Sequence, residues 1–245
     1  QIKKMKLKEI NITAGITWSP AGVNPSYLAC GTSAQQLDSS FNSSSQLQIY
    51  DLDLAHATLD TKLAASIDTP ARFNSIVWGA EGQDGSPSGM IVGGCENAAI
   101  YVYDATKLLA GEEALVSSTE GKHSGPVFAL DLNPFQKNLL ACGSSDCEIT
   151  IFDLNKQSEP MAPGAKPALN ADVTCVLWNR MVQHILASSY AGRCVVWDLK
   201  KTASIMQISD SVSRMKARSI AWHPNVATQL VLASDDDATP LVQVC

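Results

Sequence analysis

Apolar residues in this chain gather into runs of five or six, separated by polar or glycine-bearing breaks, and the runs recur in a fixed order. The first kind is an apolar strand closing on Trp or an equivalent. It reads GITWSP at Trp18, SIVWGA at Trp78, ALDLNPF with Leu132 in the Trp position, CVLWNR at Trp178 and SIAWHP at Trp222. The second ends in a Gly, Asn or Asp turn: YLACGTS from Tyr27, MIVGGCEN from Met90, LLACGSSD from Leu139, ILASSYAG from Ile185 and LVLASDDD from Leu230. The third closes on an aromatic and Asp: LQIYDL at Asp51, IYVYD at Asp104, ITIFDL at Asp153 and CVVWDL at Trp197 and Asp198. Short runs rich in Ile, Val, Leu and Tyr predict strands rather than helices.

The aspartates lie 53, 49 and 45 residues apart, which approaches the roughly 40 to 45 residues of a WD-type propeller blade. The surplus falls in the polar loops at residues 34–46 and 80–89. The expected fold is therefore all-β, a WD-repeat β-propeller with about five blades present. The one helical candidate, ATKLLAGEEAL at residues 105–115, is interrupted by Gly111 and is expected as a blade-to-blade excursion. Radial stacking buries the apolar face and the edges that a lone sheet would expose. The fifth repeat halts at Cys245, where the earlier repeats place Tyr50, Tyr103, Phe152 and Trp197. Residues 5–245 are thus expected to be an incomplete propeller of a larger, seven-bladed ring, unable to close as a monodisperse unit. Met5 suits a natural start, so residues 1–4 are set aside as leader or gene-model sequence.

Charge and composition narrow the function. A net charge of −6 with 18 Lys plus Arg argues against a nucleic-acid surface, and 6% aromatic content offers few stacking platforms. Seven cysteines without paired CxxC spacing suit a reducing, cytoplasmic compartment. Nothing resembles a membrane span or a secretory signal, so the sequons at Asn11 and Asn42 are expected to stay unglycosylated. Lys3, Lys4, Lys6 and Lys8 make a solvated end rather than a lipid- or nucleic-acid-binding arm.

Catalytic and metal motifs fail on spacing. There is no GxGxxG, no GxxxxGK[ST], and GSPSG at residues 85–89 lacks the central Ser of a nucleophile elbow. His56, His123, His184 and His223 each stand alone, and Asp235, Asp236 and Asp237 lack the alternating spacing of a calcium loop. No cofactor, metal or enzymatic activity is expected. His123, in KHSGPV, sits where WD blades carry a Gly-His dipeptide, with Asp146 as its expected partner. Cys142 and Phe152 occupy the Ser and Trp positions, so the buried polar network is reduced. The competing reading, a hydrolase using His123, Asp146 and Ser144, predicts labelling by a serine-directed covalent probe. Cys30 and Cys142 share one register before Gly31 and Gly143, which marks them as core residues.

The strings between the repeats carry a resemblance. MKLKEI at Met5, YLACGTSAQQLD at 27–38, LNPFQKNLLACG at 132–143, WNRMVQHILASS at 178–189 and AWHPNVATQLVLASDDD at 221–237 together resemble the large WD-repeat subunit of the COPII vesicle outer coat. The departures are Cys245 in place of an aromatic and a shortened turn in SSYAG at 188–192. The resemblance implies a non-catalytic scaffold that builds the cage on vesicles budding from the endoplasmic reticulum towards the Golgi. It implies a seven-bladed N-terminal propeller meeting other copies of itself at cage vertices, peripheral on the cytosolic face of endoplasmic reticulum exit sites, without membrane insertion. In that family the small WD-repeat subunit and the inner-coat GTPase complex are reached through downstream regions that this chain does not contain. The competing protein-binding reading is a WD-repeat adaptor of another pathway, such as a ubiquitin-ligase substrate receptor or a chromatin reader.

Overall fold

A computed structural model describes residues 7–34, 44–56, 58–82, 85–145, 147–156, 159–167, 170–190, 192–209, 217–235, 237 and 240–245. Residues 1–4, Lys6, Asn42, Asp146, Asp236 and most of the loop at 34–46 lie outside the described residues. The chain divides into two compact units, Gln1–Glu96 with Tyr101–Ser118, and Asn97–Ile100 with Thr119–Cys245.

In the first unit, β1 (Ala14–Trp18), β2 (Tyr27–Thr32), β3 (Gln46–Asp51) and β4 (Lys62–Asp68) form an antiparallel sheet in sequence order. A second sheet follows with β5 (Phe73–Gly79), β6 (Met90–Cys95), β7 (Ile100–Asp104) and β8 (Leu115–Ser118). All of β6 is buried, as expected of a central strand covered on both faces. The Phe73 ring is wedged where two glycines permit it. A Cβ on Gly31 would lie 2.5 Å from Phe73 Cδ2, and one on Gly93 2.2 Å from Phe73 Cε1.

The segment expected as a blade-to-blade excursion is instead a link inside one sheet. It contains α1 (Ala105–Ala110), which joins β7 to β8. Asp104 caps α1 by accepting from the N–H groups of Thr106 and Lys107, and Gly111 ends it in the left-handed region at φ 74°. There Gly111 N–H bonds Leu108 O at 3.1 Å and Glu112 N–H bonds Lys107 O at 2.9 Å, closing the last carbonyls.

The second unit contains three sheets. β9 (Val127–Leu132), β10 (Leu139–Ser144) and β11 (Ile149–Asp153) make the first; β12 (Val173–Trp178), β13 (Ile185–Tyr190), β14 (Arg193–Asp198) and β15 (Ala203–Ser209) the next; β16 (Ala217–Trp222), β17 (Leu230–Ser234) and β18 (Val242–Val244) the last. Met161 supplies a single bridge beside β11, exchanging bonds of 2.7 and 2.9 Å with Ile151. The first strands of successive sheets adjoin, β9 against β12 and β12 against β16. One core fills the space around Ile151, Val173, Trp178, Leu186, Tyr190 and Trp197, and another the space around Ala187, Cys194, Val196, Trp222, Leu230 and Leu232.

The fold is therefore all-β, with five antiparallel sheets among the described residues, one for each repeat. Register keeps the repeats aligned. Leu28 pairs with Tyr50, Leu140 with Phe152 and Leu186 with Trp197, and Leu230 exchanges bonds of 2.9 and 2.8 Å with Cys245. Cys245 thus takes the aromatic position that the repeat alignment assigned to it. The outer strands β4, β8 and β15 have no counterpart in the three-run repeat. Their residues are largely exposed, so they lack the apolar signature that marks the other strands.

Candidate functional site

Each repeat aspartate does the same local work. Its carboxylate accepts the N–H two residues on: Asp51 from Asp53 at 3.1 Å, Asp104 from Thr106 at 2.8 Å, Asp153 from Asn155 at 3.1 Å and Asp198 from Lys200 at 2.9 Å. This Asx turn starts the link to the next segment by giving the backbone an acceptor from the side chain. Asp104 also accepts from Ser86 Oγ at 2.7 Å, and Asp153 from Asn138 Nδ2 at 2.7 Å.

Two of the tryptophans reach across sheets by hydrogen bonds. Trp178 Nε1 donates to Asp131 O at 3.1 Å, and Trp222 Nε1 to Leu177 O at 3.1 Å, each reaching the sheet before its own. Trp78 Nε1 donates to Ser88 O at 2.7 Å while its ring stacks on Tyr27. Trp197 Nε1 donates to Ser188 Oγ at 2.8 Å. Trp18 differs, being 54% exposed where Trp178 is 0%. With Ile12 and Ile16 it belongs to an exposed apolar face of the first sheet, and a groove of about 290 Å³ runs along Ile10, Ile12, Ile16 and Leu28.

His123 is buried beside Phe152, with ring centroids 5.7 Å apart. Its Nε2 lies 3.2 Å from Thr150 Oγ1 and its Nδ1 3.4 Å from Glu148 Oε2. Burial pushes the imidazole below its usual pKa, and Glu148 opposes the shift. Burial alone would raise the Glu148 carboxyl, but the Ser124 N–H, the Ser144 hydroxyl and His123 hold it lower. Asp146, the expected partner, lies outside the described residues; among those described, Glu148 is the acid facing His123. Ser144 Oγ donates to Glu148 at 3.0 Å and not to His123. The nucleophile–base contact of a hydrolase is therefore not formed between these two buried side chains.

Sequence reasoning missed a second set of joints. Asn133 Oδ1 accepts from the N–H groups of Phe135 and Gln136, shaping its own turn, while its Nδ2 donates 2.8 Å to Gln183 O on the next sheet. Asn179 repeats the device with Met181 and Val182, and its Nδ2 donates 2.8 Å to Ala227 O. Asp131 completes the joint by accepting from Trp178 N–H at 2.7 Å and Arg180 Nη2 at 3.1 Å. Burial lifts the Asp131 carboxyl to about 6, against the pull of Arg180 and the backbone donors. The available signal was an Asn directly after the Trp position in two repeats, LNPF and WNRM.

Among the described residues no group of His, Cys, Asp and Glu is arranged to hold a metal ion, and no helix is long and apolar enough to cross a membrane.

Comparison with known proteins gives the chain a context. No protein-family model matches it. It is 50% identical over 243 residues to "Protein transport protein Sec31A" of Danio rerio, covering 98% of this chain and 19% of that protein. The human protein of the same name is 49% identical over 98% of this chain and 20% of its own length. "Protein transport protein SEC31" of Dictyostelium discoideum is 40% identical over 97% of this chain and 18% of its own. The chain thus spans about a fifth of the curated relatives it matches. Among solved structures, a chain of "COPII on membranes, outer coat vertex" superposes with TM-score 0.80 at 25% identity, covering 95% of this chain and 60% of that one.

Proposed function

We propose that this chain, homologous to Sec31 over nearly its whole length, is a structural subunit of the COPII outer coat, contributing a propeller to the vertices of the coat cage. The observation that carries the reading is the half-identity to Sec31A over 98% of the chain. Likeness to a chain of an assembled coat vertex supports it from the side of the fold. In this reading residues 5–245 belong to a seven-bladed ring, and the face bearing Ile16 and Trp18 receives a further sheet, as the equivalent face of β12 receives β9. Its work is contact between proteins rather than bond-making, peripheral to the membrane on the cytosolic side of endoplasmic reticulum exit sites. Other copies at the vertex are its direct partners. The small WD-repeat subunit and the inner-coat GTPase complex are engaged through other regions of the whole protein.

The test is to express the whole protein with a fluorescent tag in cells and, separately, to reconstitute the coat on liposomes with it. Enrichment at exit sites and cage vertices containing the tagged protein are expected. A diffuse distribution with recovery in a ubiquitin-ligase complex would favour the adaptor reading and overturn the coat assignment.

A further inference from the structure

Hydrogen bonds fix several links of the second unit at one end of its sheets. The turns after β9, β12 and β16 are tied side by side by Asn133 and Asn179. The links after β11 and β14 join the same rim, because Leu154 N–H bonds Asn138 O at 2.8 Å and Leu199 N–H bonds His184 O at 3.0 Å. Two large apolar side chains stand out from this rim at equivalent positions of successive turns, Phe135 at 48% and Met181 at 47% exposed. Each sits two residues after the Asn that clamps its turn, so a rigid backbone holds both.

The same rim concentrates positive charge in a chain whose net charge is −6. Lys156, Arg180, Lys200 and Lys201 are all exposed there. Two of these cations already have a carboxylate beside them, Arg180 with Asp131 at 3.1 Å and Lys156 with Asp153 at 3.8 Å. Asp131, Asp153 and Asp198 have side chains only 12%, 18% and 10% exposed; Asp153 and Asp198 are bonded into the turns they start, and Asp131 into the joint with β12. Glu159, itself exposed, is paired with Lys122 at 2.6 Å. An approaching ligand therefore meets the ammonium groups of Lys200 and Lys201 beside two apolar anchors, while Asp131, Asp153 and Asp198 are largely buried.

We infer that this rim is a docking surface for an acidic protein segment carrying bulky apolar side chains. The apolar residues seat on Phe135 and Met181, and the carboxylates pair with Lys200 and Lys201. Charge complementarity selects the ligand, as it does at protein interfaces generally. A narrow segment is favoured over an anionic bilayer because screening acts over roughly 8 Å in physiological salt. A peptide lying on the rim feels the local cations whatever the charge of the rest of the chain. The inference rests on the second unit alone and stands apart from the coat assignment.

Fluorescence anisotropy on the intact protein tests it, using the fluorescein-labelled probe Glu-Asp-Glu-Phe-Glu-Asp-Leu-Glu-Asp-Glu and a control in which every acid is Lys. Saturable binding of the acidic probe alone is expected, weakening as salt rises from 50 to about 300 mM. Lys200→Glu with Lys201→Glu should weaken binding by about tenfold or more, and Phe135→Ser with Met181→Ser by about fivefold. Lys166→Glu, in the loop between Met161 and β12, serves as the charge control and should leave binding unchanged. Thermal melts matching the parent keep the comparison valid, since all these positions are exposed. Absence of saturable binding, equal affinity for both probes, or indifference to the rim substitutions would overturn the inference. So would co-sedimentation with vesicles of phosphatidylcholine and phosphatidylserine that depends on Lys200 and Lys201 while the peptide fails to bind.

Discussion

Removing the carboxylate of Asp131 should open the joint between the sheets of β9 and β12. Asp131→Ala leaves the Trp178 N–H, now bonded at 2.7 Å, buried without a partner, which costs about 1–3 kcal/mol. Loss of the Arg180 contact adds at most about 1 kcal/mol, because that guanidinium is 38% exposed and screened. The expected total is about 1–4 kcal/mol, read from urea unfolding followed by tryptophan fluorescence at pH 7.5. Asp131→Asn keeps an acceptor and should cost less, but it should also remove a pH dependence. With the folded carboxyl at about 6 and the unfolded one at 3.8, the folded state holds its proton more tightly. Stability from this group therefore rises as pH falls through 6. Between pH 7.5 and 5 the parent should gain about 1 kcal/mol relative to Asp131→Asn. An Asp131→Ala protein within about 0.5 kcal/mol of the parent, or a parent that loses ground to Asp131→Asn on acidification, would refute the reasoning.

Gly93→Ala places a Cβ 2.2 Å from Phe73 Cε1 and should cost about 1–3 kcal/mol of stability; an unchanged urea midpoint would show that the ring can withdraw. Asn179→Ala, which removes three hydrogen bonds including the one to Ala227 O, should cost about 1–2 kcal/mol by the same assay. For Trp197 and Ser188, bonded at 2.8 Å, a double-mutant cycle of Trp197→Phe and Ser188→Ala should return a coupling of about 1 kcal/mol; simple additivity would count against the bond. Burial pushes the Cys30 thiol to about 11 and those of Cys95 and Cys194 to about 12, so in folded protein at pH 8 these three should resist alkylation that proceeds readily in urea, as mass spectrometry of the labelled peptides would report.

The sequence exposed what repetition made visible. Buried strands recur because an apolar run must fill each inner position, so β1 to β3 and their counterparts could be aligned residue by residue, down to Cys245 opposite Leu230. The outer strands escaped, since β15 and β4 face solvent and obey no apolar period. The role of the aspartates was also hidden. Trp197 bonds Ser188 inward, whereas Asp198 turns its carboxylate to the following backbone. The Asn133 and Asn179 joints left only a faint trace, because the bond that matters runs to a carbonyl about 50 residues away, Gln183 or Ala227, and any residue can supply a carbonyl. Trp18 marked a strand correctly, but its exposure depends on what lies against the sheet, which no single repeat encodes.

The four aspartate turns also bear on how such a chain can vary. Because each carboxylate supplies its own acceptor for the N–H two positions later, the link beyond it inherits a defined departure whatever sequence it carries. Proline at that second position is the one residue barred for lack of a donor. One link has become the helix α1, while the link after Asp198 passes directly into β15. A tolerant point of this kind is where peptide tags or reporter domains can be inserted without disturbing the strands on either side, and where length can accumulate over generations at little cost to the register that precedes it.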